Sequence, residues 1–310
     1  MNADAALRIE KINFKGWPNS YSISNGTVEL VVTSDIGPRI MRYGFVGGQN
    51  LFKEFTGQLG KSGEKEWQPR GGHRLWAAPE DPVRTYAPDN SPVKIEIKGT
   101  VVEATGLVEP LTGLEKQLII KMAPSGTGTE VLHRIKNAGS KPVDLAPWAL
   151  TMMAQGGIAI HGFPPRGTHP KDLAPTNPLV MSAYTDLSDG RWKFTKKYLM
   201  LRQDPNAEDP QKLGTFNNHT FGAYLLGSDL FIKRYEAAGT PKLYTDMGCS
   251  FETFTNADFL ELETLGPMMT LNPGATVDHV EQWSLHKNVH IRNWEDAELD
   301  SVILPLLSRY

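Results

Sequence analysis

"VKIEIKG", residues 93–99, puts Val93, Ile95 and Ile97 on one side of an extended chain and Lys94, Glu96 and Lys98 on the other. Side chains alternate in this way across a strand, not around a helix. The same pattern continues in both directions. Upstream, "TVELVVTS" (27–34) and "RIMRYGF" (39–45) read as two strands joined across Asp35-Ile36-Gly37-Pro38. Downstream, "GLEKQLIIKM" (113–122) and "TEVLHRIKN" (129–137) flank the turn-rich "APSGTGT". "PVDLAPWALTMM", "RWKFTKKYLMLRQ", "FGAYLLGSDLFIKRY", "FLELETLGP" and "TVDHVEQWSLH" extend the series. Short strands punctuated by turn residues predict an all-β protein, an antiparallel sandwich or barrel. Helical periodicity is confined to the tail, "NWEDAELDSVILPLL", where Asn293 reads as an N-cap and acids fill the first turn. A short helix over about 293–307 is expected, ended or kinked at Pro305. With no repeat and no low-complexity linker, residues 1–310 read as one domain. The segment 161–178, with five prolines, reads as a long ordered loop.

The charge balance is slightly acidic, a formal net charge of -3. No lysine or arginine run marks a nucleic-acid or anionic-membrane surface. The first residues, "MNADAALRIEKINFKGW", lack the basic and apolar regions of a secretory signal, and no apolar run is long enough to span a bilayer. A cytoplasmic location is expected. A single cysteine, Cys249, excludes an internal disulfide and an all-cysteine metal site, and no neighbouring base marks it as a nucleophile.

Two stretches carry the chemistry. In "FLELETLGPMMTLNPGATVDHVEQWSLHK" (259–287), Glu261 and Glu263 share one strand face, and Gly266-Pro267 places them near a strand end. On the following strand Val277, His279, Glu281, Trp283 and Leu285 share a face, either a polar pocket or a solvent side. His279 and Glu281 have ligand-type side chains, but a lone His-x-Glu with no third partner does not define a metal site, so no metal is expected. The second stretch, "PRGGHRLWAAPED" (69–81), reads as a proline-bounded loop. Gly71-Gly72 permit a sharp turn, His73 donates and accepts protons near neutrality, Arg74 offers a planar fork, and Trp76 a flat apolar face. Glu80 and Asp81 accept hydrogen bonds. Such a mixture suits a sugar, which has apolar C–H faces and a polar rim. The structural alternative pairs Arg70 or Arg74 with Glu80 or Asp81 and plugs the core with Trp76. His133 reads as a core or rim residue, and His161, His169 and His219 as surface residues. Trp148 either packs inside or floors a cleft, and Asp246 sits at a glycine turn where aspartate is common for backbone reasons.

In order and spacing these motifs resemble the galactose-mutarotase-like (aldose 1-epimerase) superfamily. "NGTVELVVTSDIGPRIMRYGFVGGQNLF" is similar to its first strands, "PRGGHRLWAAPED" to its substrate loop, "VLHRIKNAGSKPVDLAPWALTMMAQGG" to a central segment, and "FLELETLGPMMTLNPGATVDHVEQWSLH" to its ending. The pattern spans nearly the whole chain and looks closest to a bacterial branch apart from the true galactose mutarotases. The resemblance implies an antiparallel β-supersandwich with a cleft for a small-molecule carbohydrate, and no cofactor. It also implies general acid/base ring opening. Glu263 or Glu261 would be the base, with His73 and Arg74 in the substrate loop. Trp76, Trp148, Asp246, Glu281 and His279 would line the cleft. Where the epimerases carry an acid histidine, this chain reads "PWALTMM", with Trp148 and no histidine. Either His73 or another histidine protonates the ring oxygen, or the reaction is not performed. An epimerase, a sugar-binding protein without turnover, and a lyase or hydrolase of sugar acids all remain open, as do a monomer and a homodimer.

Overall fold

A computed structural model describes residues 7–177, 179–216 and 219–307. The first six residues of the stretch read for a signal, and Pro178 at the end of the proline-rich segment, lie outside them. In chain order the strands begin with β1 (Arg8–Phe14), β2 (Trp17–Ser24), β3 (Val28–Thr33), β4 (Arg39–Phe45), β5 (His73–Ala78), β6 (Lys94–Lys98) and β7 (Val101–Thr105). There follow β8 (Leu114–Met122), β9 (Thr129–Asn137), β10 (Val143–Met153), β11 (Ile158–Gly162), β12 (Val180–Met181), β13 (Trp192–Phe194) and β14 (Tyr198–Arg202). The series closes with β15 (Gln211–Thr215), β16 (Phe221–Leu226), β17 (Asp229–Tyr235), β18 (Phe251–Thr255), β19 (Leu260–Leu265), β20 (Met269–Leu271), β21 (Thr276–His286) and the helix α1 (Asp296–Leu307).

The strands form two antiparallel sheets, as the alternation predicted. The first runs β1-β2-β3-β4-β5-β10-β19-β18-β15-β12, with β20 pairing β10 off that path. The second runs β13-β14-β11-β16-β17-β21-β9-β8-β7-β6. Between them lies the main core, where Tyr43, Phe52, Phe231 and Trp283 pack ring against ring at centroid distances of 5.5 to 6.2 Å. Such pairs add about 0.5–1.5 kcal/mol each beyond area burial. Strand β6, within the strictly alternating Val93-Ile95-Ile97 stretch, is the edge of the second sheet, so Ile97 stays 47% exposed.

Two local expectations change. The stretch 69–81 is not all loop, since residues 73–78 form β5 in the middle of the first sheet. Its alternation is plain once found: His73 and Leu75 face inward, Arg74 and Trp76 outward. The density of charged and aromatic residues disguised it, because this strand is covered on both faces. The bend before it needs glycine. Gly71 has φ +88, and a Cβ there would stand 1.9 Å from the Lys53 carbonyl oxygen. Gly71→Ala is therefore expected to destabilise the fold by about 2 kcal/mol or more. An unchanged urea midpoint would contradict this. The tail helix begins at Asp296, three residues later than Asn293, because Trp294 is held at φ 57, outside the helical region. Glu298 instead accepts from the backbone N–H groups of Arg292, Asn293 and Trp294. Pro305 sits in the last turn without ending the helix early. Leu299 and Ile303 bury α1 against the outer face of the second sheet.

Candidate functional site on the outer face of the first sheet

Register decides which side chains meet. In the first sheet Arg74 pairs Leu150, Leu150 pairs Glu263, and Glu263 pairs Glu252, so this row shares one face. The next rows on that face are Trp76 with Trp148 and Leu265, and Met152 with Glu261 and Phe254. It is the outer face, turned away from the second sheet, and Trp76, Trp148, Leu150 and Leu265 form a separate apolar cluster there.

Glu252 and Glu263 lie directly opposite on a hairpin, a like-charge placement that is unfavourable by itself. Lys212, from β15, resolves it: its Nζ lies 2.8 Å from Glu252 Oε2 and 3.1 Å from Glu263 Oε2. Burial opposes the charge on Lys212, but Glu263 and Glu252 outweigh it and hold its pKa well above the usual lysine value. The Trp148 indole donates to Glu263 Oε2 at 2.9 Å, whereas Glu263 Oε1 is buried with no partner. Glu261 accepts from Arg74 Nη2 at 3.1 Å, and the Arg74 guanidinium stacks 4.1 Å over Trp76. Arg74 Nε and Nη1 are buried without partners. Burial, reinforced by Glu263, pushes Glu252 up to about 8 and Glu261 to about 7. A cavity of about 280 Å³ opens beside this group, bordered by Trp148, Lys212, Glu252, Asp246, Glu80 and Tyr184.

The other predicted residues occupy the opposite side of the sheet. His73, next to Arg74 in sequence, points inward and meets His133, His279, Glu281 and Lys233 from the second sheet. The hydrogen bonds assign every proton if the buried rings are neutral. The His279 carbonyl only accepts, so His133 Nδ1 donates to it at 2.9 Å. His133 Nε2 is then the acceptor, and His73 Nε2 donates to it at 2.6 Å. His73 Nδ1 in turn accepts from the Thr151 hydroxyl at 2.8 Å, and that hydroxyl accepts from Lys233 at 3.0 Å. Lys233 Nζ also reaches Glu281 Oε1 at 2.8 Å and the Leu262 carbonyl at 2.9 Å. The Trp283 indole donates to Glu281 Oε2 at 2.7 Å. Burial opposes ionisation of Glu281, but Lys233 outweighs it and keeps the carboxyl well below its usual range. Ligand atoms of His73, His133 and Glu281 lie within 4.8 Å of one another, a donor set that would suit a transition metal. Their lone pairs and protons are already matched, and an ammonium group stands against the carboxylate, so the cluster reads as a self-satisfied core network.

Of the predicted site residues, then, Arg74, Trp76, Trp148, Glu261 and Glu263 gather on the outer face, with Asp246 at the cavity rim. His73, His279 and Glu281 gather between the sheets. Neither Arg70 nor Arg74 pairs with Glu80 or Asp81. Arg70 binds Glu64 and Asn90, Asp81 accepts from the backbone of Val83 and Arg84, and Glu80 accepts from Tyr86. His161, read as a surface residue, is buried on β11, its ring stacked 4.0 Å from Phe251. Sequence reasoning missed Lys212 and Glu252. The available signal was the hairpin itself, since "FETFT" against "FLELETL" sets acid opposite acid and so demands a nearby cation.

These shifts set the pH dependence of stability. Glu252 and Glu261 keep protons that the unfolded chain sheds near the ordinary 4.5. The folded state therefore loses stability as pH rises from about 4.5 through 8. His161 and His279, pushed by burial to about 3 from 6.5, act oppositely and cost stability as pH falls below 6.5. His73 and His133, lowered by burial as well, tip the balance, so stability is expected to peak near pH 6.5 and decline toward about pH 8, with a shallower decline in Glu252→Gln. Urea midpoints across that window measure it, and equal slopes in both proteins would contradict it.

The two antiparallel sheets form a galactose mutarotase-like sandwich fold. A galactose mutarotase-like protein from Lactobacillus casei has TM-score 0.54 and 10% identity, covering 86% of this chain and 100% of that one. A galactose mutarotase related enzyme from Lactobacillus acidophilus has TM-score 0.54 and 8% identity, covering 87% and 98%. A TPR-domain containing protein from Parabacteroides distasonis has TM-score 0.55 and 12% identity over 88% of this chain, which spans about half of it (48%). At these identities the likeness is one of fold. No sequence-family model and no curated protein matches the chain. No helix among the described residues is long and apolar enough to cross a membrane.

Proposed function

We propose that the chain, as one carbohydrate-binding domain, takes a single sugar ring into the cavity beside Trp148, Lys212 and Glu252. There it interconverts anomers by general acid/base ring opening without a cofactor. The observation that carries this reading is the convergence of Glu252, Glu261 and Glu263 on one sheet face, two of them bridged by Lys212. Glu263 takes the base role through Oε1, which has no partner; its carboxyl lies behind Trp148 and Lys212, so proton transfer requires those side chains to move aside as the sugar binds. Glu252 borders the cavity and, with its pKa near 8, holds a proton at neutral pH. It takes the acid role for which the sequence offered His73 or another histidine; His73 is screened from the cavity by the sheet.

As the base removes the hydroxyl proton, the C1–O5 bond breaks and the acid protonates the ring oxygen. Rotation about C1–C2 and reclosure return both protons and give the other anomer. Each positioned group contributes about 10²- to 10⁴-fold. Two-dimensional exchange NMR on a panel of aldoses tests the proposal. Faster anomer exchange is expected for at least one sugar, with the rate falling as pH rises through about 8 and Glu252 loses its proton. The full burial of Glu263, 0% exposed, favours a second reading, recognition without turnover. No acceleration of any sugar that binds would establish that reading instead.

A further inference from the structure

The cavity is acidic beyond what ring opening requires. Its lining carries the carboxyl groups of Glu80, Asp246 and Glu252, and one cation, Lys212. That cation is already shared between Glu252 and Glu263. Glu263 stands behind Trp148 and Lys212 as a fourth carboxyl group, fully buried, with Oε1 lacking a partner. The crowding shows in Asp246 and Glu252, both raised by burial and then by neighbouring carboxylates. Arg74 also has unpartnered nitrogens, but it does not line the cavity and its guanidinium lies over the rings of Trp67 and Trp76.

We infer that the ligand of this cavity carries an ammonium group, and that its substrate class is the amino sugars. This rests on the carbohydrate reading above. Tyr86 donates to Glu80 and Lys212 to Glu252, yet both carboxyl groups and that of Asp246 still border the cavity, so a protonated amine would add a cation where acids outnumber lysine three to one. A uronate or sugar phosphate would meet carboxylates while the single lining cation is engaged, and burying unpaired charge of one sign is costly. At about 280 Å³ the space lies at the small end of ligand pockets and suits one ring.

The test is titration of the full chain at neutral pH, by saturation-transfer NMR or calorimetry. The ligands are D-glucosamine, D-glucose and D-glucuronate, and the corresponding galacto trio. An amino sugar is expected to bind about tenfold or more tighter than its neutral counterpart, with the uronate weakest. Asp246→Asn should narrow that ratio to about threefold or less. Asparagine tolerates the left-handed backbone of that position, φ 52, so the fold is kept. A neutral hexose binding as tightly as its amino counterpart would overturn the inference and leave the carbohydrate reading standing. An amine preference unchanged in both Asp246→Asn and Glu252→Gln would overturn it as well. Absence of binding by all six sugars would overturn both.

Discussion

Glu263→Gln is expected to slow anomer exchange by about 10²- to 10⁴-fold, the range for a positioned proton-transfer group, while sugar affinity changes little. The reason is geometric. An amide oxygen at this position still accepts from the Trp148 indole, so the outer-face cluster keeps its packing, and Lys212 keeps Glu252 at 2.8 Å. The substitution removes the capacity to take a proton together with the charge that Lys212 meets at 3.1 Å, leaving Lys212 to pair with Glu252. A loss of affinity with the rate at saturation preserved would mean that Glu263 holds the sugar and does no proton transfer. An unchanged rate, together with an unchanged rate in Glu261→Gln, would remove the carboxylate base from the proposed reaction. Exchange NMR at saturating sugar, with a thermal melt as control for folding, separates these results.

Lys233→Met carries the largest expected effect on stability. Lys233 and Glu281 are both 0% exposed, and their 2.8 Å contact is supported by Thr151 and the Leu262 carbonyl on one side and by the Trp283 indole on the other. Removing one partner leaves an uncompensated buried charge, which costs about 3–5 kcal/mol. The proton chain through Thr151, His73 and His133 loses its source at the same time. Replacing both ends, Lys233→Met with Glu281→Leu, removes the stranded charge and should recover much of that loss. A single variant within about 1 kcal/mol of the parent in urea unfolding would show that the pair is not charged as described. The double variant should leave sugar binding intact, since the cluster lies on the far side of the sheet from the cavity.

These two experiments address faces of the same sheet that look alike in the sequence. Leu260-Glu261-Leu262-Glu263 shows by its period of two that the acids part from the leucines, and the structure keeps that division. His73-Arg74 and Val280-Glu281 show the same parting of neighbours. Alternation does not say which side of a strand becomes the space between the sheets when both sides are covered. In β5 and β19 nearly every residue is buried, so the usual guide, polar outward and apolar inward, fails at the positions that matter. His73, His279 and Glu281 were therefore read into one site with Glu263, from which the first sheet separates them.

The chain's own residues determined the all-β architecture, the antiparallel pairing of consecutive strands and the carboxylate pair on β19. These depend on local period and turn chemistry, which neighbours in sequence carry. Tertiary structure alone decided that Lys212 would stand between Glu252 and Glu263, and that Lys233 would meet Glu281. Each contact joins strands far apart along the chain, and its energy arises from burial and from charges brought within about 3 Å. No stretch of sequence holds that information before the sheets close over it.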